Sequence, residues 1–200
     1  MRIYVIRHGQ SEANLLVAHA GWSQVPLTEK GVAQAVAAGK RLEGLHFDKI
    51  IASDTHRAQQ TVQNALPGRE YVTDSRLREI STGVLEGRLV ADCAAELGEP
   101  YDRARITRDF TLYGGENWQM IRSRVSEFMD EMAKEPEDAQ IAVFCHEGSA
   151  NCMLCHVMEC QLSRITALAD NCSISVFTYK NGKWIVNKWN ETGNVVPEAK

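Results

Sequence analysis

The run Ile3-Tyr4-Val5-Ile6, continuing into Arg7-His8-Gly9 and the polar turn Gln10-Ser11-Glu12-Ala13-Asn14, decides the fold class. An unbroken apolar stretch of β-branched and aromatic residues fits a buried strand. Open α/β sheets place their ligands beyond the carboxyl ends of such strands. Arg7 and His8 stand at that position, and Gly9 lets the backbone turn sharply and approach a bound group.

Reading outward, Lys49-Ile-Ile-Ala-Ser53, Tyr71-Val72-Thr73 and Ile141-Ala-Val-Phe-Cys145 repeat the pattern of a short apolar strand followed by a polar turn. Helical signals lie between them. Thr28 is a suitable N-cap for a helix with Val32, Ala35, Val36, Gly39 and Leu42 on its apolar face, stopping at Gly44. A second helix is expected from Arg57 to Ala65, ended by Leu66-Pro67-Gly68, and a short one near Val90–Leu97. From Trp118 onward, Ile121, Val125, Phe128, Met129 and Met132 form a stripe, and a further helix follows His146-Glu147-Gly148. Ser173 to Thr178, the turn Asn181-Gly182 and Trp184 to Trp189 read as a hairpin. The expected fold is α/β: a three-layer αβα arrangement, with a mostly parallel central sheet, helices on both faces and an antiparallel C-terminal hairpin. Residues 1–200 read as a single domain without internal repeat or linker. The irregular segment at about 80–118 is a candidate lid-forming insertion.

A chain of 200 residues, 44% hydrophobic and 24% charged, has the composition of an ordinary globular domain. Its net charge of −4 argues against nucleic acid or an anionic membrane surface as the main partner. An anionic ligand has to be met by a local cluster of Arg and His. No export signal and no membrane-length apolar run are visible, so the six cysteines read as reduced thiols of a cytoplasmic protein. Cys152-Met-Leu-Cys155-His156 matches a haem-attachment string, and Cys145, Cys152, Cys155 and Cys160 could suggest zinc. The pattern favours a helix with Cys152 and Cys155 on its buried side, since haem attachment needs export and zinc lacks its second C-x-x-C pair.

Each strand-end turn carries polar residues: Arg7 and His8 after the first, Arg57 after the second, Glu79 after the third, His146 after the fourth. Parallel strands bring these turns to one edge. Arginine forks grip phosphate oxygens and stay charged. A neutral imidazole can attack phosphorus, and a carboxyl group can give a proton to the leaving oxygen and then take one from water. His19, His46, His56 and His156 lack such placement and read as structural or exposed; Trp22 could pack or line a pocket.

Several stretches in order resemble the histidine phosphatase superfamily, which includes the phosphoglycerate mutases. Arg7-His8-Gly9 with Asn14 resembles its nucleophile motif, and Pro26-Leu27-Thr28-Glu29-Lys30-Gly31 with Gln34-Ala35 its PLTxxGxxQA element. Ser53-Asp54-Thr55-His56-Arg57-Ala58-Gln59-Gln60-Thr61 is similar to its SxxxRAxxT element. Leu77-Arg78-Glu79 with Gly83 and Glu86-Gly87 resembles the proton-donor segment, and Gly114-Gly115-Glu116 the turn that opens a long helix.

The resemblance implies that His8 becomes phosphorylated, that Arg7, Arg57 and His146 hold the phosphoryl group with support from Asn14, and that Glu79 is the acid and base. It implies no metal and no cofactor. His8 then needs its second nitrogen fixed as a donor, to a backbone carbonyl. The chain departs from the family in Glu147, where glycine follows the second histidine; that carboxylate has to point away from the phosphate or weaken its binding. Cys145, Gln24 and Asp54 are lesser departures. The middle segment is shorter than in typical mutases, which favours a phosphatase acting on a small phosphorylated metabolite. Arg103, Arg105, Arg108, Phe110 and Tyr113 are candidates to read the rest of the substrate, or else a solvated basic helix with two core aromatics. The alternatives are a cofactor-dependent phosphoglycerate mutase and a catalytically weakened phospho-ligand binding protein.

Overall fold

The structure, a computed structural model, describes residues 1–160 and 167–193; the remainder of the expected single domain lies outside the described residues. In chain order the elements are β1 (Arg2–Arg7), α1 (Glu12–Leu16), α2 (Glu29–Arg41), β2 (Lys49–Ala52), α3 (His56–Ala65), β3 (Val72–Thr73), α4 (Val90–Leu97), α5 (Glu99–Thr107), α6 (Trp118–Met132), β4 (Gln140–Cys145), α7 (Glu147–Val157), β5 (Ile174–Lys180) and β6 (Lys183–Glu191).

The alternation inside β1 builds the layers. Ile3 and Val5 pack on one face, with Val125, Phe128 and Met129 of α6 and Cys152 and Met153 of α7. Tyr4 and Ile6 pack on the other, with Leu42, Phe47 and Val62 from the α2–α3 side. A strand covered on both faces has to be apolar at every position, as Ile3-Tyr4-Val5-Ile6 is. The six strands run in the order β3-β2-β4-β1-β5-β6. β1 pairs parallel to β4, and β2 parallel to both β4 and β3, whereas β5 is antiparallel to β1 and β6 to β5. The β5–β6 turn uses Asn181 (φ 52°) and Gly182 (φ 74°), left-handed at both positions as a two-residue hairpin needs. The mixed sheet and its flanking helices agree with the expected α/β class.

The stripe on α6 is buried as expected, and truncation of Phe128, fully buried there, is expected to cost about 3–5 kcal/mol. The face of α2 is rotated from the expected one: Val36 is exposed, and the buried row is Gly31, Ala35, Ala38 and Leu42. A Cβ at Gly39 would lie 2.1 Å from the Ala65 carbonyl, so α2 meets α3 along its small residues and leaves the larger Val36 to solvent. Cys152 and Cys155 are both buried on α7, as the core reading of that motif expects.

The segment between β3 and α6 carries its own small core of Leu85, Cys93, Tyr101, Ala104 and Phe110. It therefore packs as a unit over the sheet edge rather than trailing as a loop.

Candidate active site

Parallel pairing sets the site. Arg7 is in register with Cys145, and both Ile6 and Ala52 are in register with Phe144, so β1, β4 and β2 end together. The next residues, His8, His146 and Ser53, emerge at that edge; His8 N donates to Cys145 O at 2.9 Å and Ser53 N to Phe144 O at 2.8 Å. Beyond β3, a 3-10 turn at Ser75–Leu77 brings Glu79 to the same edge. A cavity of about 390 Å³ lies there, lined by Arg7, His8, Asn14, Arg57, Glu79 and Glu147 among others. His146 is fully buried beside it, its ring centroid 5.0 Å from that of His8. The residues selected as catalytic or phosphate-binding thus converge, six as cavity wall and His146 buried beside His8.

The turn after β1 is anchored by the motifs that follow it. Gly9 N donates to Thr61 Oγ1 (3.1 Å), whose hydroxyl donates to Arg57 O (2.7 Å). Gln10 N donates to Gln34 Oε1 at 2.8 Å. Cβ atoms at Gly9 and Gly31 would lie 2.4 Å from Gly31 O and 2.0 Å from Gln10 O, so both glycines are required for the turn to sit on the first turn of α2. Ser11 and Asn14 close a capping box on α1, and Asn14 Oδ1 is taken by Ser11, which leaves its amino group to offer to the cavity.

His8 is held in one tautomer. Its Nδ1 lies 2.7 Å from Gly9 O, which can only accept, so Nδ1 carries the hydrogen. Arg57 Nε, which can only donate, lies 3.4 Å from His8 Nε2. Both neighbours leave the lone pair on Nε2. Burial, then Arg57, then Arg7 push the His8 pKa well below the usual imidazole value, so the ring is neutral. Burial and Arg57 do the same to His146. Ser53 Oγ (2.9 Å) and Thr55 Oγ1 (3.2 Å) face His146 Nε2, and a hydroxyl donating there leaves Nδ1 protonated.

Arg57 is fully buried; its two terminal nitrogens donate to Ser23 O (3.0 Å) and Gly21 O (2.8 Å). Burial brings its pKa down to about 10, which still leaves it charged at neutral pH. Arg7 Nη1 donates to Ala169 O at 2.6 Å, while Arg7 Nε and His146 Nδ1 are buried with no hydrogen-bond partner. Buried donors with nothing to bond are costly unless a ligand completes them. An oxyanion suits this set.

The Glu79 carboxylate accepts from Ile80 N (2.8 Å) and from Gly148 N (3.0 Å), at the start of α7. A Cβ at residue 148 would lie 2.0 Å from Glu79 Oε1, so this contact requires glycine there. Of the two directions open to Glu147, the structure shows the one into the cavity: its Oε2 is 3.5 Å from Arg7 Nη1. Burial raises its carboxyl above the usual glutamate range, against the pull of Arg7.

Several contributors escape inspection of the sequence. His19, expected to be structural or exposed, lines the cavity, with Nε2 2.6 Å from Tyr101 Oη. Arg124 of α6 donates to the carbonyls of Arg76, Arg78 and Glu79 (2.7, 2.7 and 2.9 Å) while paired through both Glu116 oxygens, and so fixes the loop that carries Glu79. Its signal was faint: a charged residue on the otherwise polar side of a helix. Of the five candidates over the site, Arg105, Arg108 and Phe110 line the cavity, Arg103 is solvated and Tyr113 packs on the small core. Trp22 packs, its Nε1 donating to Glu79 O at 2.8 Å under the Arg78 guanidinium. Gln24 caps the amide of His56, and Asp54 pairs with Arg78 through both oxygens.

Among the described residues no group of three or more His, Cys, Asp or Glu side chains could hold a metal ion, and no helix is long and apolar enough to cross a membrane. A larger groove of about 760 Å³ lies beside β3, lined by Lys49, Arg69, Tyr71, Val72 and Phe128 among others, but its lining contains no histidine.

Known proteins resemble this chain in sequence and in overall fold. A probable phosphoglycerate mutase GpmB of Salmonella paratyphi A is 30% identical over 199 residues, spanning 94% of this chain and 90% of that protein. A mycobacterial glucosyl-3-phosphoglycerate phosphatase, solved with VO3, superposes with a TM-score of 0.82 at 28% identity, covering 95% of this chain and 98% of the other. The alpha-ribazole phosphatase of Shigella flexneri shares the fold, with a TM-score of 0.88 at 24% identity over 99% of this chain and 100% of the other. Residues 3–192 match the family described as histidine phosphatase superfamily (branch 1). With that match over nearly its whole length and the strand-end histidines in place, the chain belongs to the histidine phosphatase superfamily.

Proposed function

We propose that this protein is a phosphatase that hydrolyses a small-molecule phosphomonoester through a phosphohistidine on His8. The observation that carries the reading is the His8 ring: neutral, with Nδ1 committed to Gly9 O and Nε2 presenting a lone pair beside Arg57. In the first step Nε2 attacks phosphorus, the ester P–O bond breaks, and Glu79 gives its proton to the leaving alcohol oxygen. In the second, water loses a proton to Glu79 and attacks phosphorus, the P–N bond breaks, and inorganic phosphate leaves with His8 restored. Arg7, Arg57 and His146 meet the charge on the transferring oxygens, with Asn14 donating, so the reading calls on no metal and no cofactor. Arg105, Arg108 and Phe110 face the part of the substrate beyond the phosphate. Cytoplasmic residence belongs to the same proposal, supported by Cys93, Cys145, Cys152 and Cys172, which are buried and joined in no disulfide.

A screen for phosphate release over sugar phosphates, phosphoamino acids, nucleotides and phosphorylated acids tests the reading. Turnover should come with an acid-labile phosphoenzyme, and His8→Ala should abolish both. Turnover that survives in His8→Ala refutes the nucleophile. The 30% identity to a probable phosphoglycerate mutase favours a second reading, mutase activity. It requires interconversion of 2- and 3-phosphoglycerate dependent on a bisphosphorylated primer. Neither turnover nor phosphoenzyme would leave a phospho-ligand binding protein.

A further inference from the structure

Glu147 occupies the first position of α7, one residue before the amide that holds Glu79. Its carboxylate lies 3.5 Å from Arg7 Nη1 inside the cavity and is 32% exposed, so water screens it only in part. The charged groups that face it are Arg7 at the end of β1, Glu79 beyond β3, Arg108 after α5 and Asp170 on the approach to β5. Two of these are anions. The nearest cation, Arg7, is the one that keeps an unpartnered Nε for an incoming oxyanion.

We propose that Glu147 is an internal competitor of phosphate, a residue whose carboxylate stands against Arg7 in the resting site and weakens the binding of phosphomonoester and, above all, of product phosphate. It is a specificity-setting group rather than a catalytic residue. The inference rests on the reading of the His8 edge as a phosphoryl site. An entering phosphate dianion shares Arg7 with the carboxylate at short range, where partial desolvation lets like charges repel strongly. Protonation of Glu147 removes the repulsion, so phosphate binding draws a proton onto this side chain. Burial already raises its carboxyl above the usual range, and a bound anion raises it further. Phosphate therefore binds with proton uptake between the free-state and bound-state pKa values of Glu147, and without it below both.

The test compares phosphate affinity, by calorimetric titration with inorganic phosphate, in the wild-type protein, Glu147→Gln and Glu147→Asp across acid and neutral pH. At neutral pH, Glu147→Gln should bind phosphate about tenfold more tightly than wild type. The ratio should fall toward unity as the pH drops through the Glu147 pKa. Taking the ratio at each pH cancels the titration of phosphate itself. Glu147→Asp keeps the charge and should keep the weaker, pH-dependent binding. Equal affinities, or weaker binding in Glu147→Gln, overturn the proposal; the weaker result would make Glu147 a support for Arg7. If none of the three proteins binds phosphate, the phosphoryl-site reading fails and takes the proposal with it, a result distinct from equal, measurable affinities.

Discussion

Gly148→Ala separates the placement of Glu79 from everything else in the site. The added Cβ would lie 2.0 Å from Glu79 Oε1, and an ordinary contact is about 3.4 Å, so the carboxylate has to retreat by about 1.4 Å. It sits at the far end of a flexible side chain, so the helix and the sheet need not move. The bond that Gly148 N donates at 3.0 Å is lost. A hydrogen bond to a charged group is worth about 1.5–3 kcal/mol. Displacement of a reacting group by about 1 Å can cost roughly a hundredfold in rate. The loss should depend on the leaving group. An alkyl phosphate needs a proton on its departing oxygen and should lose about a hundredfold in kcat. A nitrophenyl ester, whose leaving oxygen needs little help, should fall far less. The assay is steady-state phosphate release with both esters, alongside a thermal melt to show that the fold is intact. If Gly148→Ala hydrolyses both esters at the wild-type rate, Glu79 is not the proton donor that the geometry suggests. If both rates fall equally, the damage lies in phosphate binding instead.

Further outcomes follow from the same contacts. Arg124→Ala strands the buried Glu116 carboxylate and frees the Glu79 loop; about 3–5 kcal/mol of lost stability is expected, and a melt should fall by roughly 6–20 °C. Arg57→Lys keeps the charge but cannot reach Gly21 O, Ser23 O and His8 Nε2 at once, so kcat should fall by about 10²–10³ in single-turnover assays. His8 and His146 both titrate below 6.5 in the folded protein, so the unfolded chain takes up protons first as the pH falls. Stability should be complete above that value and decline below it, by up to about 1.4 kcal/mol per pH unit for each histidine, as urea titrations at several pH values would show.

The residues that act at strand ends were legible because local pattern placed them: an apolar run, then a charged turn, repeated around the sheet. Arg7 and His146 each follow such a run directly, and Arg57 lies a few residues beyond another. What escaped depends on contacts between distant segments. Thr61 stands in a recognisable element, but the bond its hydroxyl accepts from the Gly9 amide spans 52 positions that no periodicity reveals. Arg124 looks like any solvated helical arginine until the carbonyls beyond β3 are seen to converge on it. His19 lines the cavity with its ring held against Tyr101 of the overlying segment, a contact across 82 positions. On α2, apolar size favours Val36 as a core residue, whereas close approach to α3 selects Ala38 and the small residues around it. Glu147 stands out in the sequence as a departure, but its direction depends on Arg7, which the chain places 140 positions earlier.

The central strand has a consequence for how the chain acquires its shape. β1, which carries Arg7 and leads to His8, pairs with β4 at residues 140–145 and with β5 at 174–178. β1 is thus made well before either of its partners, and loops this long close slowly. On the ribosome its apolar face has to wait, with both edges open, for most of the chain to emerge. A growing chain in that state is a natural client for a holding chaperone, and the edge of the nascent β1, not the finished sheet, is where aggregation would begin.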